Sequence, residues 1–286
     1  MSTNITTAFV NQFSSNVQML SQQMGSLFRN AVDVESVNGE KAFFDQVGKA
    51  SAQIKTSRHS DTPLMDTPHS RRMVTLSTYE WADLIDDADK VQLLIDPTSS
   101  YAKAAAAAMG RSIDDVIISA ALGTAYTGKS GSTSTSFASG NKIVHGSAGL
   151  TLAKLISAKK ILDEGDVDPS LQRYIAVAPE QMEDLLNLST VTSADYNTVR
   201  ALVQGDIDTY VGFKFIQSNR LNTDSDGNRQ VFAFTEDAIK LAIGKDVTAR
   251  VDERSDKSYS TQVYYCMSIG ATRMQEGSIV EIACTE

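Results

Sequence analysis

Residues 97–122 read PTSSYAKAAAAAMGRSIDDVIISAAL, the longest stretch of the chain with one continuous helical reading. Asp96 is a suitable cap, and Pro97 fits the first helical position, where a missing N–H costs nothing. Ala104–Ala108 have the highest helix propensity and no side-chain entropy to lose. Tyr101, Ala105, Met109, Ile113, Val116, Ile117 and Ala120 recur at threes and fours, which predicts one buried stripe. At 1.5 Å per residue such a helix spans roughly 39 Å. Gly110 interrupts it at about 1 kcal/mol relative to Ala, so it reads as a close-packing site or a bend. A spine of this kind suggests a scaffold before a catalyst.

Outward from the helix on its C-terminal side, GTAYTGKS at residues 123–130 satisfies G-x-x-x-x-G-K-[ST] in full. A phosphate loop follows a strand and opens a helix, whose N-terminus helps to hold the anion. Here the motif follows a helix and opens into SGSTSTSFASG, which has no helical period. Thr124–Gly140 therefore reads as a flexible Gly/Ser/Thr loop. Helix resumes at Thr151, with Leu152, Leu155, Ile156 and Leu162 on one face and Gly165 as the stop. Tyr174–Val177 reads as a buried strand breaking at Pro179 into a helix with Met182, Leu185 and Leu186. Tyr210–Ile216 and Val231–Phe234 read as further strands, and Asp237–Ile243 as a short helix. In the final strands Val263, Tyr265, Met267 and Ile269 share a face. Glu276 and Gly277 form a turn before Ile279–Cys284.

On the other side of the helix, Tyr79–Asp89 reads as a short acidic helix with Trp81, Leu84 and Ile85. Lys41–Ser77 is poor in large apolar residues. Its flanks GKASAQIKTSR and SRRMVTLSTYE predict two strands, carrying Ile54 on one and Met73, Val74 and Leu76 on the other. Between them, Pro63 and Pro68 mark two tandem turns. A long hairpin with so little apolar surface is stable only when it lies on something else. Residues 1–38 space Phe9, Phe13, Val17, Leu20, Met24, Leu27 and Phe28 as an amphipathic helix, suited to docking on its own domain or on a neighbour.

The totals limit the chemistry. At 286 residues, 42% hydrophobic and 21% charged, the chain has the composition of a globular protein with a substantial core. No run is apolar for the length of a membrane span, and Met1–Val10 lacks a signal-peptide pattern. Cys266 and Cys284 read as buried thiols of a reducing compartment. A net charge of −9 argues against broad adhesion to nucleic acid. In residues 222–227, NTDSDG starts like a calcium loop, but Ala233 stands where the bidentate Glu belongs, so a turn at Asp226 and Gly227 is expected. His59, Asp61, Asp66 and His69, flanked by Arg58, Arg71 and Arg72, read as a solvated tip or contact surface. Beyond Leu64 and Met65, nothing in the tip shields a catalytic group. No metal, cofactor or catalytic set is expected.

This order of parts resembles the major capsid (coat) proteins of tailed bacteriophages, which share the Hong Kong 97-like fold. TSRHSDTPLMDTPHSRRMV resembles the extended E-loop of that family, and LLIDPTSSYAKAAAAAMGRSIDDVIISAALGTA the start of its P-domain and spine. RYIAVAPEQMEDLLNL followed by TYVGFKFIQSNRL is similar to its A-domain. DVTARVDERSDKSYSTQVYYCMSIGATRMQEGSIVEIAC resembles the returning P-domain strands. The resemblance implies an α+β chain with an N-terminal arm at 1–38, E-loop at 39–78 and P-domain with spine at 79–150. An A-domain at 151–243 and returning strands at 244–286 complete it. It further implies a non-enzymatic subunit that assembles with itself into hexons and pentons of an icosahedral head, made in the host cytoplasm and located in the virion. A separate scaffolding protein (or cleavage ahead of residue 1), a portal, decoration proteins and packaged double-stranded DNA held without sequence specificity are the implied partners. Inter-subunit contact is expected from Phe9, Phe13, Leu20, Arg58, His59, Asp61, Asp66, His69, Arg71 and Arg72. Two other readings stay open: a nucleotide-binding protein using Lys129 and Ser130, from the motif, and an encapsulin-like compartment of similar fold, which the resemblance also implies.

Overall fold

The computed structural model describes residues 22–55, 57, 58, 61, 64–85, 98–187 and 209–286, the side chains of 98–101 excepted. Its strands in chain order begin with β1 (Asp33–Ser36), β2 (Lys41–Val47), β3 (His69–Thr75) and β4 (Ser77–Ile85). Helix α1 (Thr98–Leu122) follows, then β5 (Ala125–Thr127), β6 (Thr133–Thr135) and β7 (Lys142–Ile143). Helix α2 (Leu152–Glu164), β8 (Arg173–Val177) and helix α3 (Pro179–Asn187) come next. The chain continues through β9 (Thr209–Tyr210), β10 (Phe213–Gln217), β11 (Arg229–Thr235), β12 (Ile239–Arg254), β13 (Ser260–Arg273) and β14 (Ile279–Cys284). The fold class is α+β, as expected.

The chain forms two units. One comprises the segment up to Ser26 with Thr78–Ser112 and Lys245–Met267; the other comprises Leu27–Ser77, Ile113–Gly244 and Ser268–Glu286. The larger unit is built on a six-stranded mixed sheet in the order β7-β14-β11-β8-β10-β9. Every residue of β14 and the last five of β11 are buried, the pattern of strands covered on both faces. Phe232 and Phe234 of β11 pack on each other at 5.4 Å, with Phe28 and Tyr174 stacked against them at 6.2 and 5.6 Å. Such aromatic pairs add about 0.5–1.5 kcal/mol beyond area burial. Helix α2 packs against β14. The Thr151 side chain caps it by accepting from Lys154 N, and Gly165 ends it.

In the smaller unit β4 pairs with β13, and the Trp81 ring meets Tyr265 edge-on at 6.5 Å. The Tyr264 hydroxyl donates to Glu80 at 2.9 Å.

Several expectations need correcting. Tyr79–Asp89 is not a short helix: its described part lies in β4, where Tyr79, Trp81, Asp83 and Ile85 alternate on the more covered face. Asp237–Ile243 is likewise not a helix but the turn into β12, with Ile239, Leu241 and Ile243 alternating inward. In both, pairing to β13 or β1 provides a ladder that an isolated segment lacks, and tertiary context overrides a weak helical period. The first hairpin strand is KAFFDQV rather than GKASAQIKTSR, so the hairpin base holds Phe43 and Phe44. Thr124–Gly140 is not structureless but carries β5 and β6. Residues 22–28 form no helix; residues 1–21 of that expectation lie outside the described residues. The α1 stripe holds at Ala105, Met109, Ile113 and Ile117, and it widens to Ile118 and Ala121. Ile156 of α2 faces outward; Lys154 is the buried residue beside it.

Candidate assembly surface

The β2–β3 hairpin positions the surface. The two strands pair antiparallel from Lys41 opposite Thr75 to Val47 opposite His69, and Gly48 N extends the ladder by donating to Pro68 O at 2.7 Å. One face of the hairpin base is core: Phe44 and Val74 pack with Ala242 and Met274, with Val37, Ala42 and Leu76 at the margin. The other face is open. There Phe43 is 40% exposed with the Arg71 guanidinium 5.5 Å over its ring, and Arg71 donates to both carboxylate oxygens of Asp45. The hydrogen bond from Arg71 holds the Asp45 carboxyl below its ordinary range.

Past the paired strands the described residues of the hairpin bury no side chain. Ile54 is 90% exposed and Leu64 fully exposed. Arg58, Asp61, Asp66 and His69 are exposed too, and they form no cluster of metal-binding side chains. His59, Phe9, Phe13 and Leu20 lie outside the described residues. The base is tethered by Lys49, whose ammonium reaches Gly165 O at 2.7 Å and Asp166 at 3.0 Å.

Arg72 departs from the expectation. It is buried rather than part of the open surface, because strand alternation turns it away from Arg71 and toward the core. Its Nη2 donates to Glu276 Oε1 at 3.0 Å and its Nε to Met274 O at 3.2 Å. The other oxygen of Glu276 accepts from Arg273 Nε at 2.8 Å. Arg273, fully buried, donates onward to Ala121 O and Gly123 O at the end of α1 and lies over the Phe137 ring. One carboxylate thus joins the hairpin base to the terminus of the long helix. Sequence reading missed this bridge, although the placement of Arg72 directly before the apolar pair Met73 and Val74 was a usable sign.

The phosphate-loop motif sits in an antiparallel hairpin. Tyr126 and Thr127 belong to β5, β6 starts at Thr133, and Gly131 N closes a turn on Gly128 O at 3.0 Å. Gly128 and Gly131 take positive φ in that turn. No helix starts there, so the backbone lacks the N-terminal geometry that holds phosphate. A cleft of about 580 Å³ beside it is lined by Asp45, His69, Ser70, Arg71, Thr127, Gly128 and Lys129. The Asp224 carboxylate is likewise used locally: it accepts from the amides of Asp226 and Asn228 at 2.9 Å, and Gly227 has φ +83°. That is the expected turn. The thiols of Cys266 and Cys284 are buried and unpaired with each other.

A family model described as phage capsid protein matches residues 5–286. No curated protein matches the chain. Among solved structures, the capsid of cyanophage P-SCSP1u is similar over all of this chain and 96% of that one, with 18% identity and a TM-score of 0.75. The capsid of Ralstonia phage GP4 is similar over 96% of this chain and 95% of that one, with 10% identity and a TM-score of 0.74. A structure from Mycobacterium phage Che8 covers 96% of this chain and 97% of that one, at 19% identity and a TM-score of 0.68.

Proposed function

The chain belongs to the phage capsid protein family, and we propose that it builds the head by lending neighbouring subunits the surfaces it cannot bury alone. It is a major capsid protein, a structural subunit with the Hong Kong 97-like fold that assembles with copies of itself into the virion shell.

The observation that carries the proposal is the hairpin tip. Two large aliphatic side chains, Ile54 and Leu64, stand in solvent at the end of a two-stranded extension. Burying each against a neighbour gains about 1.5–3 kcal/mol, so the tip gains on assembly what it lacks in the free subunit. On this reading 39–78 is the E-loop, 79–150 with 244–286 the P-domain, 151–243 the A-domain and 1–38 the arm. Arg58, Asp61, Asp66, His69 and Arg71 are contact residues of the E-loop; Phe9, Phe13 and Leu20 are those of the arm. Hexons and pentons are the assembly units. A separate scaffolding protein, a portal and decoration proteins act beside the subunit, which is made in the host cytoplasm. A net charge of −9 suits a wall that must not trap packaged DNA through counterion release, and the subunit performs no catalysis.

Replacing residues 50–67 by a short glycine linker tests the proposal. The expected result is a folded subunit with an unchanged circular dichroism spectrum and no closed particles by electron microscopy. Particles of normal size and yield from that variant would refute the role of the tip.

A further inference from the structure

Within the smaller unit, the segment Gln22–Ser26 crosses helix α1 with Gly25 against Gly110, so both residues at the close approach are glycines. A methyl group built on Gly110 would stand 2.6 Å from the Gly25 Cα and 2.7 Å from its carbonyl oxygen. Backbone cannot yield to such an overlap as a flexible side chain can. Gly25 takes φ +78°, a conformation that L side chains rarely adopt. The neighbouring residue locks the crossing: Arg111 Nη1 donates to Gln22 Oε1 at 2.9 Å and to Gln23 O at 3.3 Å. A glycine inside a helix costs about 1 kcal/mol, and this one admits the segment that precedes Leu27.

Resting on the shell-subunit reading, we infer that the Gly25–Gly110 crossing is a catch. It fastens Gln22–Ser26, the described end of the N-terminal arm, to the subunit's own spine helix, so that this end of the arm holds a fixed point on the helix during assembly. Three observations carry this beyond ordinary packing. The crossing tolerates no side chain on the helix. Its partner residue on the arm is held in a left-handed conformation. A guanidinium reads the two residues on the arm's outer side, one through its side chain and one through its backbone.

The test uses the full-length chain. At an unobstructed helical site Gly→Ala stabilises; at this one Gly110→Ala is expected to lower the melting temperature and to speed amide exchange in the 22–30 peptide at least tenfold. Arg111→Met keeps helix propensity and stem length while removing both hydrogen bonds. It is expected to speed exchange in the same peptide with the peptides of 113–122 unchanged, which keeps the inference falsifiable if Gly110→Ala does not fold. Both folded variants are expected to give particles of broadened size distribution by electron microscopy. A rise in melting temperature for Gly110→Ala, or unchanged exchange at 22–30 in Arg111→Met, overturns the catch. Fast exchange with particles of normal size overturns only its part in assembly. If the unaltered chain forms no particles under any condition, the shell reading fails, while the exchange data still judge the catch on the free subunit.

Discussion

Arg71 and Arg72 are adjacent in β3, yet their guanidinium groups serve opposite ends: Arg71 pairs with Asp45 on the open face, and Arg72 is buried against Glu276. The same charge in the same strand therefore has two different energetic roles. Arg71→Met is expected to leave the urea midpoint nearly unchanged, because exposed ion pairs contribute little, and to reduce particle yield. Arg72→Met is expected to cost about 2–3 kcal/mol, because a charged hydrogen bond to Glu276 is lost and the buried Met274 carbonyl is left short of a donor. Equal destabilisation by the two substitutions would refute the assignment.

The Glu276 carboxylate makes Arg72 and Arg273 a coupled set. A double-mutant cycle of Arg72→Met with Arg273→Met is expected to give an interaction energy of about 0.5–3 kcal/mol, the range for residues in one network. Strict additivity in the denaturation midpoints would show that the two arginines act independently.

Acid stability has a local source in Glu286, whose side chain accepts from Arg229 Nε at 2.6 Å and Nη2 at 2.9 Å. The hydrogen bond from Arg229 lowers the Glu286 pKa from its ordinary 4.5. A lowered carboxylate pKa contributes stability that is complete above the unfolded value and is lost as pH falls through the folded one. Stability is therefore expected to decline below about pH 4.5, and Glu286→Gln is expected to reduce that decline. An unchanged pH profile in the variant would remove Glu286 as a source.

Cys284 is fully buried in β14, and burial pushes its thiol up to about 11. The thiolate is the reactive species, so alkylation of Cys284 in the folded subunit near neutral pH is expected to be no faster than unfolding. Peptide mapping after iodoacetamide treatment measures it. Rapid labelling under native conditions would place the thiol in solvent.

The parts legible in the sequence were those whose signal is local. Thr98 to Leu122 carries propensity and period together, while the Asp96 cap and Pro97 lie outside the described residues, and Thr151 to Gly165 carries both of its boundaries. Tyr174–Val177 and Ile279–Cys284 are apolar runs too short to be helices, and they form central strands. Segments with two periods at once were misread. In Tyr79–Ile85, Trp81, Leu84 and Ile85 suit a helix while Tyr79, Trp81 and Ile85 suit a strand, and only the distant β13 decides between them. Polar groups turned inward were invisible for another reason. Arg72, Arg273 and Asp114 read as solvated by type, yet Asp114 is fully buried and accepts from the amides of Leu27 and Phe28 at 3.1–3.2 Å. Apart from Glu276, three residues beyond Arg273, their partners lie far along the chain, and no spacing rule connects them.

Strand β1 has a consequence for the timing of assembly. It pairs in parallel with β12, and Lys240 reaches back to Glu35 across 205 positions of sequence. Closing so long a loop comes late in folding, and topologies rich in such pairings fold slowly. Closure of that pairing is expected to set when a subunit becomes competent, on a scale of about milliseconds to seconds. A dilute supply favours adding subunits to shells already begun over starting new ones. A pairing inside one chain is thereby expected to pace the supply of subunits to a growing shell.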